Sequence, residues 1–241
     1  MRNGCEVLDL GRRAYGSALD LQRELVEKRQ RGAIGDTLVL VEHDPPVLTL
    51  GRRANASNIR AGAAELAHRG IGVHRIGRGG DATFHGPGQL VGYPIVDLRA
   101  AGLGVRRYVD ALQETLIRAL ATFGIQAARD PAFTGVWIGG DKIAAIGVRV
   151  QRGVTMHGFA LNVSVDLGYY DLIVPCGIQG RGVTSIEKLV GRVGMADVKK
   201  AVVREFCRGW RWDEQVRQRC GSRHGCGFRW AGVTNSRGFA P

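Results

Sequence analysis

Cys176 is the residue of this sequence best placed for nucleophilic chemistry. It lies in Val174-Pro175-Cys176-Gly177-Ile178, where proline restricts the backbone before the thiol and glycine leaves the backbone after it uncovered. A thiol in this setting is a candidate exposed nucleophile. Most single cysteines are instead small buried apolar residues, and the spacing alone favours that second interpretation.

Lys142 is the second candidate for chemistry. It follows the turn Gly139-Gly140-Asp141 and begins an apolar run, KIAAIGV. Its alkyl chain can therefore lie along buried surface while its nitrogen holds or exchanges a proton. The alternative is a turn lysine whose ammonium reaches water, and this feature alone favours that alternative.

Glycines crowd the segment RGGDATFHGPGQ, which spans residues 78 to 89. In such loops, exposed backbone amides and a cation such as Arg78 bind an oxyanion, a carboxylate or a phosphate. His85 sits in a Gly-Pro turn, where histidine is more often a structural hydrogen-bonding residue than a base. The chain has no GxxxxGK[ST], HExxH or GxSxG motif, so P-loop hydrolysis, HExxH metalloprotease chemistry and the common serine-hydrolase chemistry are not indicated.

Cys207, Cys220, His224 and Cys226 can be drawn as a set of zinc ligands near the C-terminal end. Twelve residues separate the first two cysteines, and the remaining cluster matches no standard zinc pairing. The sequence therefore predicts no metal site.

The charge of the chain indicates an anionic partner. The 241 residues include 34 Lys and Arg against 22 Asp and Glu, which gives a net charge of +12. From Lys199 onward there are ten basic and three acidic residues, so +7 of this charge lies in the last 43 residues. Apolar residues make up 44% and charged residues 23%, a composition that excludes wholesale disorder.

The length of the chain and its number of cysteines further limit the class of protein and its compartment. The chain is too long for a small disulfide-stapled scaffold, and its apolar runs fall short of the ~18 residues of a membrane span. Five cysteines are an odd number, which fits a reducing compartment better than a disulfide framework. The first ten residues contain no signal-like apolar segment, so we expect a cytoplasmic protein.

Hydrophobic periodicity predicts interleaved helices and strands. Leu112, Leu116 and Leu120 recur at helical spacing before Gly124, so residues 108–123 are predicted as a helix. Three β-type runs between residues 135 and 165 predict an antiparallel meander. The other predictions are a helix over 18–31 with a capping box at Ser17, a strand pair over 37–43 and 47–51, strands over 73–80 and 89–98, a capping box at Thr184, and a helix over 197–206. Because many pairings are antiparallel, the fold class is α+β rather than doubly wound α/β.

Five segments together resemble the lipoyl(octanoyl) transferases. They are RGGDATFHGPGQLVGYP at 78–94, GVW at 135–137, DKIAAIGVRV at 141–150, HGFALNV at 157–163 and PCGI at 175–178. With a weaker match upstream, the resemblance covers roughly residues 5 to 206. We therefore assign residues 1–206 to an octanoyltransferase catalytic domain and residues 207–241 to a basic tail without an assigned structure.

The resemblance implies a fold and a set of site residues. The fold is α/β of the α+β type, with a mixed, largely antiparallel sheet flanked by helices, similar to the catalytic domain of biotin and lipoate protein ligases. Cys176 matches the acyl-thioester nucleophile of the family, and Lys142 matches the lysine that tunes the thiol and handles protons. The implied acyl pocket is formed by Arg78, Gly79, Gly80, Asp81, Ala82, Thr83, Phe84, His85, Ala145, Ile146, Gly147, Gly158, Phe159 and Ala160.

The resemblance also implies the reaction and its partners. An octanoyl group moves from octanoyl acyl carrier protein to a lysine of a lipoyl domain, in 2-oxoacid dehydrogenase complexes or in the glycine cleavage H protein. The first step of protein lipoylation is thereby completed without ATP, metal or another cofactor. Acyl carrier proteins and lipoyl domains are generally acidic, so a basic surface would steer both of them.

Two other functions compete with this prediction. A lipoate or biotin ligase of the same fold would activate its acid with ATP and would have little use for Cys176. A nucleic-acid-binding module would use Trp210, Trp212 and Trp230 among the arginines of the basic tail, but it leaves the five segments unexplained.

Overall fold

A computed structural model describes residues 5–55, 58–174 and 180–210. The described chain alternates nine strands with five α-helices and a 3₁₀ helix. In chain order these are β1 (Glu6–Arg13), α1 (Tyr15–Gln30), β2 (Thr37–His43), β3 (Val47–Leu50), α2 (Ala63–His68), β4 (Gly72–Arg75), β5 (Ala82–His85), β6 (Gln89–Ile95), α3 (Val105–Ala121), β7 (Val136–Ile138), β8 (Asp141–Gln151), β9 (Val154–Asn162), the 3₁₀ helix (Leu167–Leu172), α4 (Ile186–Val190) and α5 (Met195–Gly209).

The strands form two mixed sheets. The larger has six strands in the order β1-β2-β6-β9-β8-β7, and the smaller has three in the order β4-β3-β5. Each sheet contains one parallel pair, β1 with β2 and β3 with β4, and the other pairings are antiparallel. The predicted α+β class with a largely antiparallel mixed sheet is confirmed.

The predicted meander is confirmed as β7, β8 and β9. Gly139 and Gly153 adopt positive φ angles of 55° and 92° in the two turns that join these strands, conformations that glycine reaches without strain. The meander forms half of the large sheet and carries Lys142 at the beginning of β8. The turn chemistry of the sequence thus fixes where this lysine enters the sheet.

Three strand predictions need correction. β2 and β3 exist but do not pair, because the Asp44-Pro45-Pro46 turn carries the chain from the large sheet into the small one. The glycine-rich segment between residues 78 and 89 is not all loop, since residues 82–85 form the fully buried strand β5. β1 was not predicted, because most of its side chains are only half-buried.

Helix termini also differ from the capping predictions. α1 begins at Tyr15, two residues before the predicted cap Ser17, because burial of the Tyr15 side chain extends the helix. The cap of α4 is Ser185 and not Thr184, with the Ser185 hydroxyl accepting a hydrogen bond from the Lys188 N–H at 3.2 Å. The last predicted helix is longer at both ends and continues to Gly209.

Helices cover both faces of the large sheet. α3 and α5 pack on one face, where Tyr108, Leu112 and Leu116 of α3 are fully buried. α1 packs on the other face against β2, β6 and β9. Phe84 of the small sheet packs with the 3₁₀ helix in a third cluster. Within the described residues, no helix has the length and apolar character needed to cross a membrane.

Candidate active site

A small pocket lies where the two sheets and α1 meet. Its volume is about 50 Å³. Its lining consists of Tyr15, Ile76, Arg78, Gly80, Asp81, Thr83, His85, Val91, Tyr93, Ala145, Ile146, Gly147, His157, Gly158, Phe159 and Ala160.

The pocket brings together most of the residues predicted from three separate segments. Gly79, Ala82 and Phe84 are exceptions and do not line it. Ala82 and Phe84 face the third core cluster because side chains alternate along β5, and the Phe84 ring stacks on Tyr169 with centroids 4.6 Å apart. The Gly79 N–H donates to the Val148 carbonyl at 2.9 Å, so Gly79 ties the loop to β8.

Small residues on β8 and β9 make room for the pocket. Ala145 pairs with Ala160, and Gly147 pairs with Gly158. A Cβ atom at Gly147 would lie 3.0 Å from both Arg78 Cδ and the Gly79 carbonyl oxygen. Any larger residue at position 147 therefore narrows the pocket.

Arg78 is a buried cation in the pocket wall. Its guanidinium donates to the Thr49 carbonyl at 2.8 Å, to the Thr49 hydroxyl at 3.0 Å and to the Gly79 carbonyl at 3.0 Å. The charge lies beside the buried imidazoles of His85 and His157 and lowers their pKa values in addition to the larger effect of burial. Arg78 thus forms part of the pocket wall and makes the electrostatic potential there more positive.

Tyr15 and Tyr93 of the pocket wall form an aromatic cluster with His43, which the sequence did not reveal. The Tyr93 hydroxyl donates to His43 Nε2 at 2.6 Å, and His43 Nδ1 donates to the Arg13 carbonyl at 3.2 Å. Burial lowers the pKa of His43 to about 4 and raises the pKa of Tyr15 to about 12. The Tyr15 hydroxyl is buried with no hydrogen-bond partner in the described part of the chain.

His157 adopts a strained backbone at the pocket wall. Its φ angle is 59°, in the left-handed region that few residues other than glycine enter. The His157 N–H donates to Gln22 Oε1 of α1 at 2.9 Å, and burial lowers the pKa of its imidazole to about 4. The Gln22 side chain therefore holds a neutral imidazole against the pocket at the expense of local strain.

These buried imidazoles predict a loss of stability in acid. Unfolded histidine binds a proton near pH ~6.5, whereas His43 and His157 bind theirs only near pH 4 in the folded chain. The stability they contribute is complete above pH 6.5 and is lost as the pH falls from about 6.5 to about 4, by roughly 3 kcal/mol for each residue. We expect the free energy of unfolding from urea titrations to fall by several kcal/mol between pH 7.5 and pH 5.

The His157→Asn variant is the control for this pH dependence, since asparagine tolerates the left-handed backbone. It should show a smaller fall over the same pH range than the wild-type protein. Equal unfolding free energies at pH 7.5 and pH 5 in the wild-type protein would contradict the prediction.

Lys142 lies in a second, neighbouring part of the site. Its side chain is 6% exposed, and its Nζ lies 4.8 Å from the centroid of the Trp137 ring. Its backbone N–H donates to the Gly182 carbonyl and its carbonyl accepts from the Thr184 N–H, both at 3.0 Å. Lys142 precedes Ala145 of the pocket by three residues of β8, about 10 Å along a strand. The buried Lys142 side chain therefore lies on the same strand as the pocket wall, close to the pocket.

The Cys176 prediction lies outside the described residues. Val174, the last residue described before it, donates its N–H to the Asn58 carbonyl at 2.8 Å. Gly180 is the first described residue after it.

The zinc alternative is only partly within the described residues. Cys207 is buried in α5, and Cys220, His224 and Cys226 are not among the described residues. In the ranges 5–55, 58–174 and 180–210, no three His, Cys, Asp or Glu side chains form a group that could hold a metal.

A family model and individual relatives point to the same family. The family model of the lipoyl protein ligase A/B catalytic domain matches residues 14–207. An octanoyltransferase from Alkaliphilus metalliredigens is 55% identical over 186 residues, which cover 77% of this chain and 85% of the relative. An octanoyltransferase from Acidobacterium capsulatum is 55% identical over 194 residues, covering 75% of this chain and 78% of that protein.

Solved structures show the same fold. A bipartite lipoate protein ligase from Thermoplasma acidophilum, studied with its E2 lipoyl domain, superposes with a TM-score of 0.70 at 18% identity. The match covers 92% of this chain and 89% of that one. The fold expected from the resemblance, that of the lipoate protein ligase catalytic domain, is confirmed.

Proposed function

Because this chain belongs to the lipoyl protein ligase A/B catalytic-domain family, we propose that it transfers an octanoyl group to a lysine of lipoyl domains, with octanoyl acyl carrier protein as donor. Its relatives at 44–55% identity over most of the chain bear the name octanoyltransferase. The chain is accordingly a transferase of protein lipoylation.

The pocket is the structural observation that carries the proposal. It is small, and Gly147, Gly158, Ala145 and Ala160 keep part of its wall free of large side chains. Burial of an acyl chain contributes about 0.8 kcal/mol per methylene. A small pocket with such a wall favours a straight chain over a fused ring system.

Cys176 and Lys142 divide the chemistry between them in this proposal. The Cys176 thiolate attacks the carbonyl carbon of the donor thioester, and the bond between that carbon and the carrier sulfur breaks. The carrier thiol leaves with the proton that the Lys142 ammonium gives up, so Lys142 is an uncharged amine when the acceptor arrives. The octanoyl group is then bound to Cys176 as a thioester. An ammonium beside a thiol favours the thiolate, and in this proposal Lys142, whose side chain is buried, supplies that ammonium.

The acceptor lysine completes the reaction. Its uncharged amine attacks the Cys176 thioester, the carbon–sulfur bond breaks, and an amide forms while Lys142 takes the proton of the attacking nitrogen. The first transfer exchanges one thioester for another of similar energy, and the second converts a thioester to a more stable amide. No ATP is needed.

Exposed arginines near the pocket support acidic protein partners. Arg52, Arg53, Arg75 and Arg149 are all exposed, and none forms an ion pair within the described ranges. The backbone N–H groups of Arg52 and Arg53 donate to carbonyls of the glycine-rich loop at 3.0 and 3.2 Å. This cationic rim would steer acidic carriers and lipoyl domains toward the pocket.

Intact-protein mass spectrometry tests the proposal directly. Octanoyl acyl carrier protein is mixed with the wild-type protein without ATP, and we expect an added octanoyl group that hydroxylamine removes and that maps to the Cys176 peptide. The Cys176→Ser variant should lack this labile adduct, while the Cys220→Ser variant should keep it.

The opposite outcome would favour a different activity. A folded wild-type protein that forms no adduct, and that modifies a lipoyl domain only with ATP and free acid, would be a ligase. Octanoyl transfer that survives at full rate in Cys176→Ser would remove the thioester from the mechanism.

A further inference from the structure

We propose that Asn162 is a positioning residue for Lys142, acting through the backbone of residues 182–184. This inference rests on the proposed function, because it assigns a role to a side chain that neither lines the pocket nor is assigned to the chemistry. Asn162 is 2% exposed at the end of β9, so its amide must find its hydrogen bonds inside the protein.

The Asn162 amide joins the pocket side of the site to the lysine side. Its Nδ2 donates to the Thr184 carbonyl at 3.0 Å. The Thr184 N–H in turn donates to the Lys142 carbonyl at 3.0 Å, and the Lys142 N–H donates to the Gly182 carbonyl at 3.0 Å. The backbone of Lys142 is therefore held on both sides by a segment that Asn162 fixes in place.

Two further side chains fix the orientation of this amide. Asn162 Oδ1 accepts from Gln89 Nε2 at 3.0 Å and from the Tyr170 hydroxyl at 2.9 Å. Because both donors converge on the oxygen, the nitrogen of the same amide must point toward Thr184. Gln89 is fully buried, and Tyr170 is 8% exposed.

The cluster continues toward the pocket through His85. Gln89 Oε1 lies 2.8 Å from His85 Nδ1, and His85 Nε2 lies 3.4 Å from the Thr49 hydroxyl, which accepts from Arg78. A neutral imidazole suits this chain, since it donates at Nδ1 and accepts at Nε2. A line of hydrogen bonds thus runs from Arg78 in the pocket wall to Asn162.

Asn162 binds residues on both sides of Cys176 in the sequence. Tyr170 precedes Cys176 in sequence and Thr184 follows it, and both are bound by the same Asn162 side chain. Loss of the Thr184 contact would let residues 182–184 shift relative to β8. A displacement of about 1 Å near reacting groups can cost 100-fold in rate.

The Asn162→Asp variant removes one contact and keeps the others. A carboxylate retains the acceptor for Gln89 and Tyr170 but has no N–H for the Thr184 carbonyl. We expect kcat for octanoyl transfer to fall about 100-fold with KM for the donor nearly unchanged, and the Cys176 peptide to be alkylated by iodoacetamide at least several times more slowly at pH 7.5.

Two other variants separate positioning from stability. Asn162→Ser, which is uncharged and small, guards against a failure of the aspartate variant to fold and should show the same loss of kcat. Thr155→Val removes a buried hydroxyl that donates to the Pro94 carbonyl at 2.6 Å, at the opposite end of β9. It should lower the unfolding midpoint while leaving kcat and the alkylation rate as in the wild-type protein.

The outcomes distinguish this inference from the proposed function. Wild-type acylation of Cys176, with both Asn162 variants equally active and equally reactive, would overturn the positioning role alone. Loss of kcat that only parallels loss of stability, with an unchanged alkylation rate of Cys176, would also overturn it. Absence of acylation in the folded wild-type protein would instead overturn the proposed function.

Discussion

Replacing Lys142 with alanine is expected to lower octanoyl transfer by about 100- to 10,000-fold, the range usual for loss of a general acid–base group. Lys142 is 6% exposed, and its Nζ lies 4.8 Å from the centroid of the Trp137 ring. Both half-reactions should slow, because the first needs a thiolate at Cys176 and the second needs a base for the acceptor amine. Single-turnover assays of each half-reaction provide the measurement.

The pH dependence of the two half-reactions should differ in the Lys142→Ala variant. A free thiol ionises near pH ~8.5 without help. Acylation of Cys176 should therefore recover as the pH rises toward 9, whereas transfer to the acceptor should recover less, since its proton acceptor is missing.

Two lysine variants control for charge and folding. Lys142→Arg keeps a cation but cannot act as a base, and it should retain more of the acylation step than of the transfer step. Lys188→Ala alters an exposed lysine of α4 and should leave both steps unchanged. Wild-type rates in a folded Lys142→Ala protein would remove this lysine from the mechanism.

Local patterns in the sequence were sufficient for elements whose faces are set by neighbouring residues. The α3 helix was found because Leu112, Leu116 and Leu120 share a face, and that face is buried. The meander was found because its glycines mark the turns. β5 was missed because it lies among glycines, and its burial comes from contacts with β3 and the 3₁₀ helix.

The candidate site likewise contains residues that the sequence revealed and residues that it did not. Its motif residues were identified by resemblance, but Phe84 was assigned to the pocket although the pleat of β5 turns its ring into the core. Tyr15 was missed because nothing near it in sequence marks a pocket. His157 was missed although it begins the segment HGFALNV, because only Gly158, Phe159 and Ala160 of that segment were assigned to the pocket. Tyr15 reaches the pocket from α1, and His157 is held there by Gln22, 135 residues away in the chain. Such contacts depend on tertiary packing, which periodicity does not encode.

The Gly147→Val variant is expected to change chain-length preference. A Cβ at this position would lie 3.0 Å from Arg78 Cδ and from the Gly79 carbonyl oxygen, and valine adds two methyl groups beyond that Cβ in the pocket wall. If the variant excludes four methylenes, the octanoyl chain loses about 3 kcal/mol of burial, at ~0.8 kcal/mol for each. This loss corresponds to roughly 200-fold in kcat/KM.

Shorter chains should be affected less. We expect kcat/KM for a butanoyl thioester to stay within about 5-fold of the wild-type value, a change of roughly 1 kcal/mol, because four carbons need less of the pocket. Gly147→Ala should fall between the wild-type protein and the valine variant. Gly104→Ala, at a position where a Cβ would meet no atom within 4 Å, is the matched control and should leave both substrates unaffected.

Thermal unfolding of the Gly147 series separates pocket closure from general damage. A folded Gly147→Val protein that keeps the wild-type preference for octanoyl over butanoyl would show that the chain does not bind beside β8. Equal losses for both substrates would mean that the substitution disturbs the reacting groups instead. A selective loss for the longer chain would place the octanoyl group between Gly147 and Arg78, with its carbonyl end toward Lys142.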